Sequence, residues 1–316
     1  MKKLLLIVLS LILVLSVGCE GNRVSVTDEY RLMLYENNLS GHDDTNTERV
    51  TERFLDSKDV ESKAIGQKRV ETFFGKTIEF TYDSASSSKI RKGDRLFAEG
   101  RMNGESTHLA SWNADTNMLE SYAAYNAGRD RSFVSEVNEH STEKDFTNYA
   151  RKIVSQFVSI EGCKVEIKTN IFEYSAEVDN YHFRRDVDGF ENNAHNVEDF
   201  YAEYWFTFYK EMNGIRRYDQ TTVVINNTGE VHSIWNWAQD ELYKPFTDVK
   251  VDMEQAKRVT IEALDMFIPD RDNVEFNPSL VATTDGELWL LMEVYVSYGE
   301  GTSGYTYAIK VAEIEK

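Results

Sequence analysis

Apolar and polar residues follow two rhythms along this chain, and together they predict three helices set among long β-patterned stretches. From 143 to 158, Phe146, Tyr149, Ala150, Ile153, Val154, Phe157 and Val158 recur at intervals of three and one, which places them on one helical stripe. Thr142 stands where an N-cap belongs. From 253 to 267 the apolar face is Ala256, Val259, Ala263, Leu264 and Phe267, with Asp252 and Gln255 at capping-box spacing and Pro269 as the stop. A third helix is expected from 46 to about 57, where Thr45 and Glu48 repeat the box but only Val50, Phe54 and Leu55 supply apolar contacts.

Between the helices, period-two stretches rich in Thr, Val, Ile and aromatic residues are broken by turn residues. Three hairpins look alike: Leu109 to Tyr122 around Asn113–Asn117, Val223 to Trp235 around Asn226–Gly229, and Leu280 to Leu291 around Thr283–Gly286. Asn, Asp and Gly suit such turns because they tolerate positive φ. The pattern predicts an α+β fold in which antiparallel sheets are each packed by an amphipathic helix, in two or three repeat-like units. The expected domains are a β-rich N-terminal domain with one short helix over 45–130, a first unit over 141–245 and a second over 250–316.

The first eighteen residues carry a different signal. Lys2 and Lys3 precede an apolar run from Leu4 to Val17, the basic and apolar regions of a secretory leader. Fourteen helical residues reach roughly 21 Å, short of the roughly 30 Å hydrocarbon core. The run closes in Leu15-Ser16-Val17-Gly18-Cys19, which resembles the lipobox of bacterial lipoproteins in its looser form, with Ser16 at the usual leucine position. The resemblance implies a signal peptide over 1–18, lipidation of Cys19, a tether over 19–44 and residence on the outer face of the cell membrane. Several acyl chains on one residue give stable anchoring.

Charge narrows the partners. The whole chain carries −19; residues 1–18 hold two lysines and no acid, so the remainder carries −21. Such a surface repels polyanions, and no Lys/Arg run is longer than a pair such as Arg184-Arg185 or Arg216-Arg217, so nucleic acid is not an expected partner. A chain that is 41% apolar and 12% aromatic folds rather than staying disordered. With Cys19 assigned to lipid, Cys163 stands alone, without a partner for an intrachain disulfide. Cys163-Lys-Val-Glu-Ile-Lys168 alternates, which predicts a buried, inert thiol on the inward face of a strand.

The stretch from Tyr204 through Asn213-Gly214 to Asp219, followed by Thr222-Val-Val-Ile-Asn-Asn-Thr-Gly229-Glu-Val231, resembles the PepSY-like (YcdB/YcdC-type) extracytoplasmic repeat of Gram-positive lipoproteins. The resemblance spans about 142–316 as two copies, the second without a counterpart to Asn213-Gly214. Residues 66–127 resemble the β-rich domain that accompanies such repeats, through Gly75-Lys-Thr-Ile-Glu-Phe-Thr-Tyr82 and Ala114-Asp-Thr-Asn-Met-Leu-Glu-Ser-Tyr122. It implies a binding or regulatory module outside the cell that restrains envelope peptidases or feeds envelope sensors, with no cofactor; an envelope protein or a wall-derived ligand is the expected partner.

Catalytic patterns are sparse. Ser86-Ser-Ser-Lys89 has Ser-x-x-Lys spacing but no expected helix to carry it, so it reads as a solvated loop. His182, Asp186, Asp188, Glu191, His195, Glu198 and Asp199 crowd one polar segment without EF-hand spacing, and an exposed acidic loop is favoured over a bound ion. No catalytic or metal-binding residue is assigned. Aromatic density offers a recognition surface: with Tyr204, Phe206 and Phe208 in the core, Trp205 and Tyr209 face away and, with Trp235 or Trp237, form either a peptide or glycan platform or a packing surface for a neighbouring element. The favoured function is a non-enzymatic, lipid-anchored binding module; the alternative is an envelope hydrolase with scattered catalytic residues.

Overall fold

The computed structural model describes residues 23–37, 58–102, 105–124, 135–175, 180–192, 200–298 and 301–315. In chain order, β1 (Val24–Val26) and β2 (Leu32–Asn37) come first, then a run of β3 (Lys58–Asp59), β4 (Lys68–Phe73), β5 (Lys76–Ser87), β6 (Arg95–Met102), β7 (Glu105–Asn113) and β8 (Leu119–Ala124). Helix α1 (Glu143–Val154) leads into β9 (Lys164–Ser175), β10 (Asn180–Asp188) and β11 (Phe200–Tyr209). Two short strands, β12 (Glu211–Met212) and β13 (Ile215–Arg217), precede β14 (Thr221–Asn226) and β15 (Val231–Asn236). The chain then runs through α2 (Asp240–Tyr243), a 3₁₀ turn over Lys244–Phe246, α3 (Met253–Phe267), β16 (Asn273–Ala282), β17 (Glu287–Tyr298) and β18 (Gly301–Ile314).

These strands form two sheets. The larger has the order β10-β9-β11-β14-β15-β8-β7-β6-β5-β3, with β4 also on β5. The smaller has the order β1-β18-β17-β16-β13-β12, with β2 also on β18. The expected α+β architecture is therefore corrected: among the described residues strand far outweighs helix, so the fold is mostly β, with large curled sheets and three short helices. The repeat reading fails at one ladder. Strand β15 pairs with β8 through Ser233↔Ala123, Ile234↔Tyr122 and Trp235↔Ser121. Strands from either side of residues 125–140 thus share one continuous sheet, where the sequence pattern suggested separate helix-plus-sheet units.

Local chemistry explains the elements that do match. Thr142 caps α1 reciprocally with Asp145, and Phe146, Ala150, Ile153 and Val154 are buried against the larger sheet. Phe146 meets Tyr204 at 4.7 Å between ring centroids, and Phe190 stacks on Tyr204 at 4.5 Å. Each such ring contributes about 1.5–3 kcal/mol by burial. Helix α1 ends at Val154, four residues earlier than the stripe suggested. In α3, Ala256, Ala263 and Leu264 face the smaller sheet, whereas Phe267, expected on that face, is 62% exposed. The three hairpins form as read, as β7–β8, β14–β15 and β16–β17. The side chains of Asn113, Asn226 and Thr283 accept backbone N–H groups within these turns.

Residues expected within the tether are instead structured from Val24 to Asn37. Strand β1 pairs with the end of β18 and β2 with its middle. Between them Tyr30 is buried: its hydroxyl accepts Asp252 N at 3.1 Å, and its N–H donates to Gln255 Oε1. Gln255 therefore ties down the N-terminal segment, while Asp252 alone caps α3. The helix expected over 46–57, the leader and Cys19 lie outside the described residues. Among the described residues no helix is long and apolar enough to cross a membrane.

Candidate functional site

One excursion carries the chain from the larger sheet to the smaller and back. It leaves the larger sheet at the end of β11, makes the β12–β13 hairpin in the smaller sheet, and returns as β14. The hairpin turns at Asn213 and Gly214, whose φ values of 54° and 80° both lie in the left-handed region that Asn-Gly tolerates. Strand β13 then pairs parallel with β16, Arg216 opposite Ser279 and Arg217 opposite Leu280. That pairing brings a face of each sheet to a shared edge.

A cleft of about 280 Å³ opens there. One wall comes from the larger sheet, where Trp205 lies directly opposite Lys168 and Thr207 opposite Glu166. The other comes from the smaller sheet, where Asn277 lies opposite Glu293 and donates to it at 2.8 Å, with Ser279 alongside. The crossing segment Arg216–Gln220 closes the cleft between them. Period-two alternation accounts for this wall: Tyr204, Phe206 and Phe208 turn into the core at 0–2% exposure, so Trp205 and Thr207 must turn out.

Charges in and beneath the cleft are already partnered. Arg216 donates to Glu166 and to Gln220 at 2.5 and 2.6 Å and stacks over Tyr209 at 4.2 Å. Arg217 donates to Asp219 and Asp240, with the Tyr243 ring 4.0 Å away. Lys168 lies 3.8 and 4.0 Å from Asp186 and Asp188. Burial pushes the Asp219 carboxyl above its ordinary range despite Arg217, while Lys210 and Arg217 together overcome burial and hold Asp240 below its own. Burial also opposes the Arg217 charge, but the two carboxylates outweigh it and its pKa is raised.

The aromatic residues separate as the alternation predicts. Trp205 and Trp235 meet at 5.2 Å and 32° on the outward face, and Tyr218 stacks on Trp237 at 6.1 Å and 20°. Trp205 Nε1 is buried and has no hydrogen-bond partner among the described residues. The other candidates disperse. Ser86 is buried at the end of β5, and Lys89 turns to Asp285 at 3.3 Å with no helix between them. His182 is exposed and Glu191 pairs with Arg185, while His195, Glu198 and Asp199 lie outside the described residues. No group of three metal-ligating side chains occurs among the described residues. Cys163 is half-buried against the core of the larger sheet, and burial raises its thiol pKa.

Sequence reasoning missed the opposing wall of Asn277, Ser279 and Glu293 and the crossing segment with Tyr218 and Gln220. The parallel β13–β16 pairing that assembles them joins residues about sixty positions apart and has no local signature. Comparison of the chain with family models, curated proteins and solved structures found no match.

Proposed function

We propose that this chain is a non-catalytic binding module, held on the outer face of a cell membrane through lipid on Cys19, and that the cleft between its sheets takes a wall-derived ligand. The cleft carries the reading. It sets an aromatic side chain and several donor and acceptor side chains on two walls of paired strands, which holds them in place before a ligand arrives. The charged groups there are engaged with one another, which fixes the walls of the cleft. The groups that burial moves furthest, including His108, Tyr122 and Tyr201, do not line the cleft.

Co-sedimentation of the full chain with purified cell-wall sacculi tests the reading. Wild type is expected in the pellet without release of soluble wall fragments, and Trp205→Ala is expected in the supernatant. Equal pelleting of the two proteins would remove the cleft from the function, and fragment release would favour the hydrolase alternative. Fractionation of cells bearing Cys19→Ala tests the anchor: the substituted protein should leave the membrane fraction, and unchanged processing and retention would overturn lipidation.

A further inference from the structure

Resting on the binding-module reading above, we infer that the cleft ligand is a neutral glycan, one of whose pyranose rings lies against Trp205. A pyranose offers an apolar C–H face and a rim of hydroxyls that both donate and accept. The cleft matches both parts. Trp205 and Tyr218 supply aromatic surface, and Thr207, Gln220, Asn277 and Ser279 supply neutral groups around it. The volume of 280 Å³ suits one or two rings, near the lower end of the roughly 300–1,000 Å³ usual for small-molecule sites.

Charge argues for neutrality. Arg216 is held by Glu166 and Gln220, Arg217 by Asp219 and Asp240, and Lys168 stands near two carboxylates. An anionic ligand would have to break these pairs and approach a chain of net charge −19. Hydroxyls can bond to the outer lone pairs and donors of the same pairs and leave them intact. A bound peptide strand is disfavoured on separate grounds. Strands β9, β11 and β17 have a neighbour on both sides, and β16 is paired with β13 at Ser279 and Leu280 and carries Pro278, which has no N–H to donate, so the cleft presents mainly side chains rather than an edge along which a peptide could extend the sheet.

The test titrates the full chain, in a detergent without sugar headgroups, with maltotriose, cellotriose and tri-N-acetylglucosamine, followed by tryptophan fluorescence and calorimetry. Trigalacturonate and trialanine serve as the anionic and peptide comparisons. At least one neutral trisaccharide should bind saturably, and Trp205→Ala should weaken it about tenfold or more, Trp205→Phe less. The exposed Asn277→Ala should also weaken it without disturbing the circular dichroism spectrum. If trigalacturonate or trialanine binds as tightly as the neutral sugars, or in their place, in a Trp205-dependent manner, the cleft stands as a ligand site and the glycan inference falls. If no probe binds in a Trp205-dependent manner, both fall.

Discussion

Arg217 holds Asp219 by both carboxylate oxygens, with Nε and Nη2 donating at 2.8 and 2.5 Å, and the two side chains are no more than 10% exposed. The pair sits where the chain returns from the smaller sheet to the larger, and Asp219 also accepts the Gln239 N–H at 2.7 Å. Removing one partner strands a charge in a buried site. Arg217→Met, which leaves the buried Asp219 carboxylate with only the Gln239 N–H, is therefore expected to destabilise the protein by about 3–5 kcal/mol in urea unfolding. Replacing both partners by apolar residues, as in Arg217→Met with Asp219→Leu, should cost much less. Equal losses in the single and double variants would show that the pair contributes through packing alone.

His108 gives the fold a defined acid sensitivity. It is 3% exposed, and burial, with Lys76 adding a smaller repulsion, lowers its pKa from 6.5 to about 4. The folded protein therefore resists protonation at a position where the unfolded chain accepts a proton. Below pH 6.5 the unfolded state binds more protons, so this contribution is lost as pH falls from 6.5 to about 4 and is constant above that window. The loss amounts to about 2–3 kcal/mol. His108→Gln should lack this part of the acid dependence, so the gap in unfolding free energy between wild type and variant should narrow from pH 7 to pH 4.5. A pH-independent gap would show that the ring ionises as freely folded as unfolded.

Much of the local structure was legible because its causes are local. The Thr142 cap, the alternation that buries Tyr204, Phe206 and Phe208, and the Asn and Gly turns of three hairpins all act within a few residues. What escaped is what joins distant segments. Ser233↔Ala123 merges two expected domains, and Arg216↔Ser279 assembles the cleft. Neither contact leaves a periodicity, since any hydrogen-bonding edge can accept either strand. Trp205 was visible as half a site; Asn277 and Glu293 belong to no motif and drew no reading. Val24 to Asn37 read as a tether because its strands are short and their partner is at the other end of the chain.

Two glycines with the same backbone conformation should respond differently to substitution. Gly214 and Gly229 have φ of 80° and 86°, yet a Cβ on Gly214 meets open space, whereas one on Gly229 collides with the Val137 carbonyl oxygen and the Ser135 side chain. Gly214→Ala should cost only the left-handed penalty of about 1–2 kcal/mol. Gly229→Ala adds displacement of the segment packed on the β14–β15 turn and should cost about 3 kcal/mol or more. Thermal unfolding of both variants checks the order, and equal shifts would mean that the segment at 135–137 yields freely.

The structured N-terminal segment places the body close to its proposed anchor. Only five peptide steps separate Cys19 from Val24, the first residue of β1, and these reach at most about 18 Å. With Cys19 lipidated, the β1 edge of the smaller sheet is expected within that distance of the headgroups. Val26 is 46% exposed and tolerates a probe, so a fluorophore attached at Val26→Cys should be quenched by nitroxide-labelled lipid headgroups in vesicles carrying the full lipidated chain. Cys163→Ser in the same chain keeps labelling specific. Inserting twenty Gly and Ser residues after Asn22 should relieve most of the quenching, because a flexible linker of that length has a mean span of about 25 Å and lets the body move away. Equal quenching with and without the insert would mean that the body contacts the membrane directly, and absence of quenching in both would mean that β1 is not tethered through Cys19.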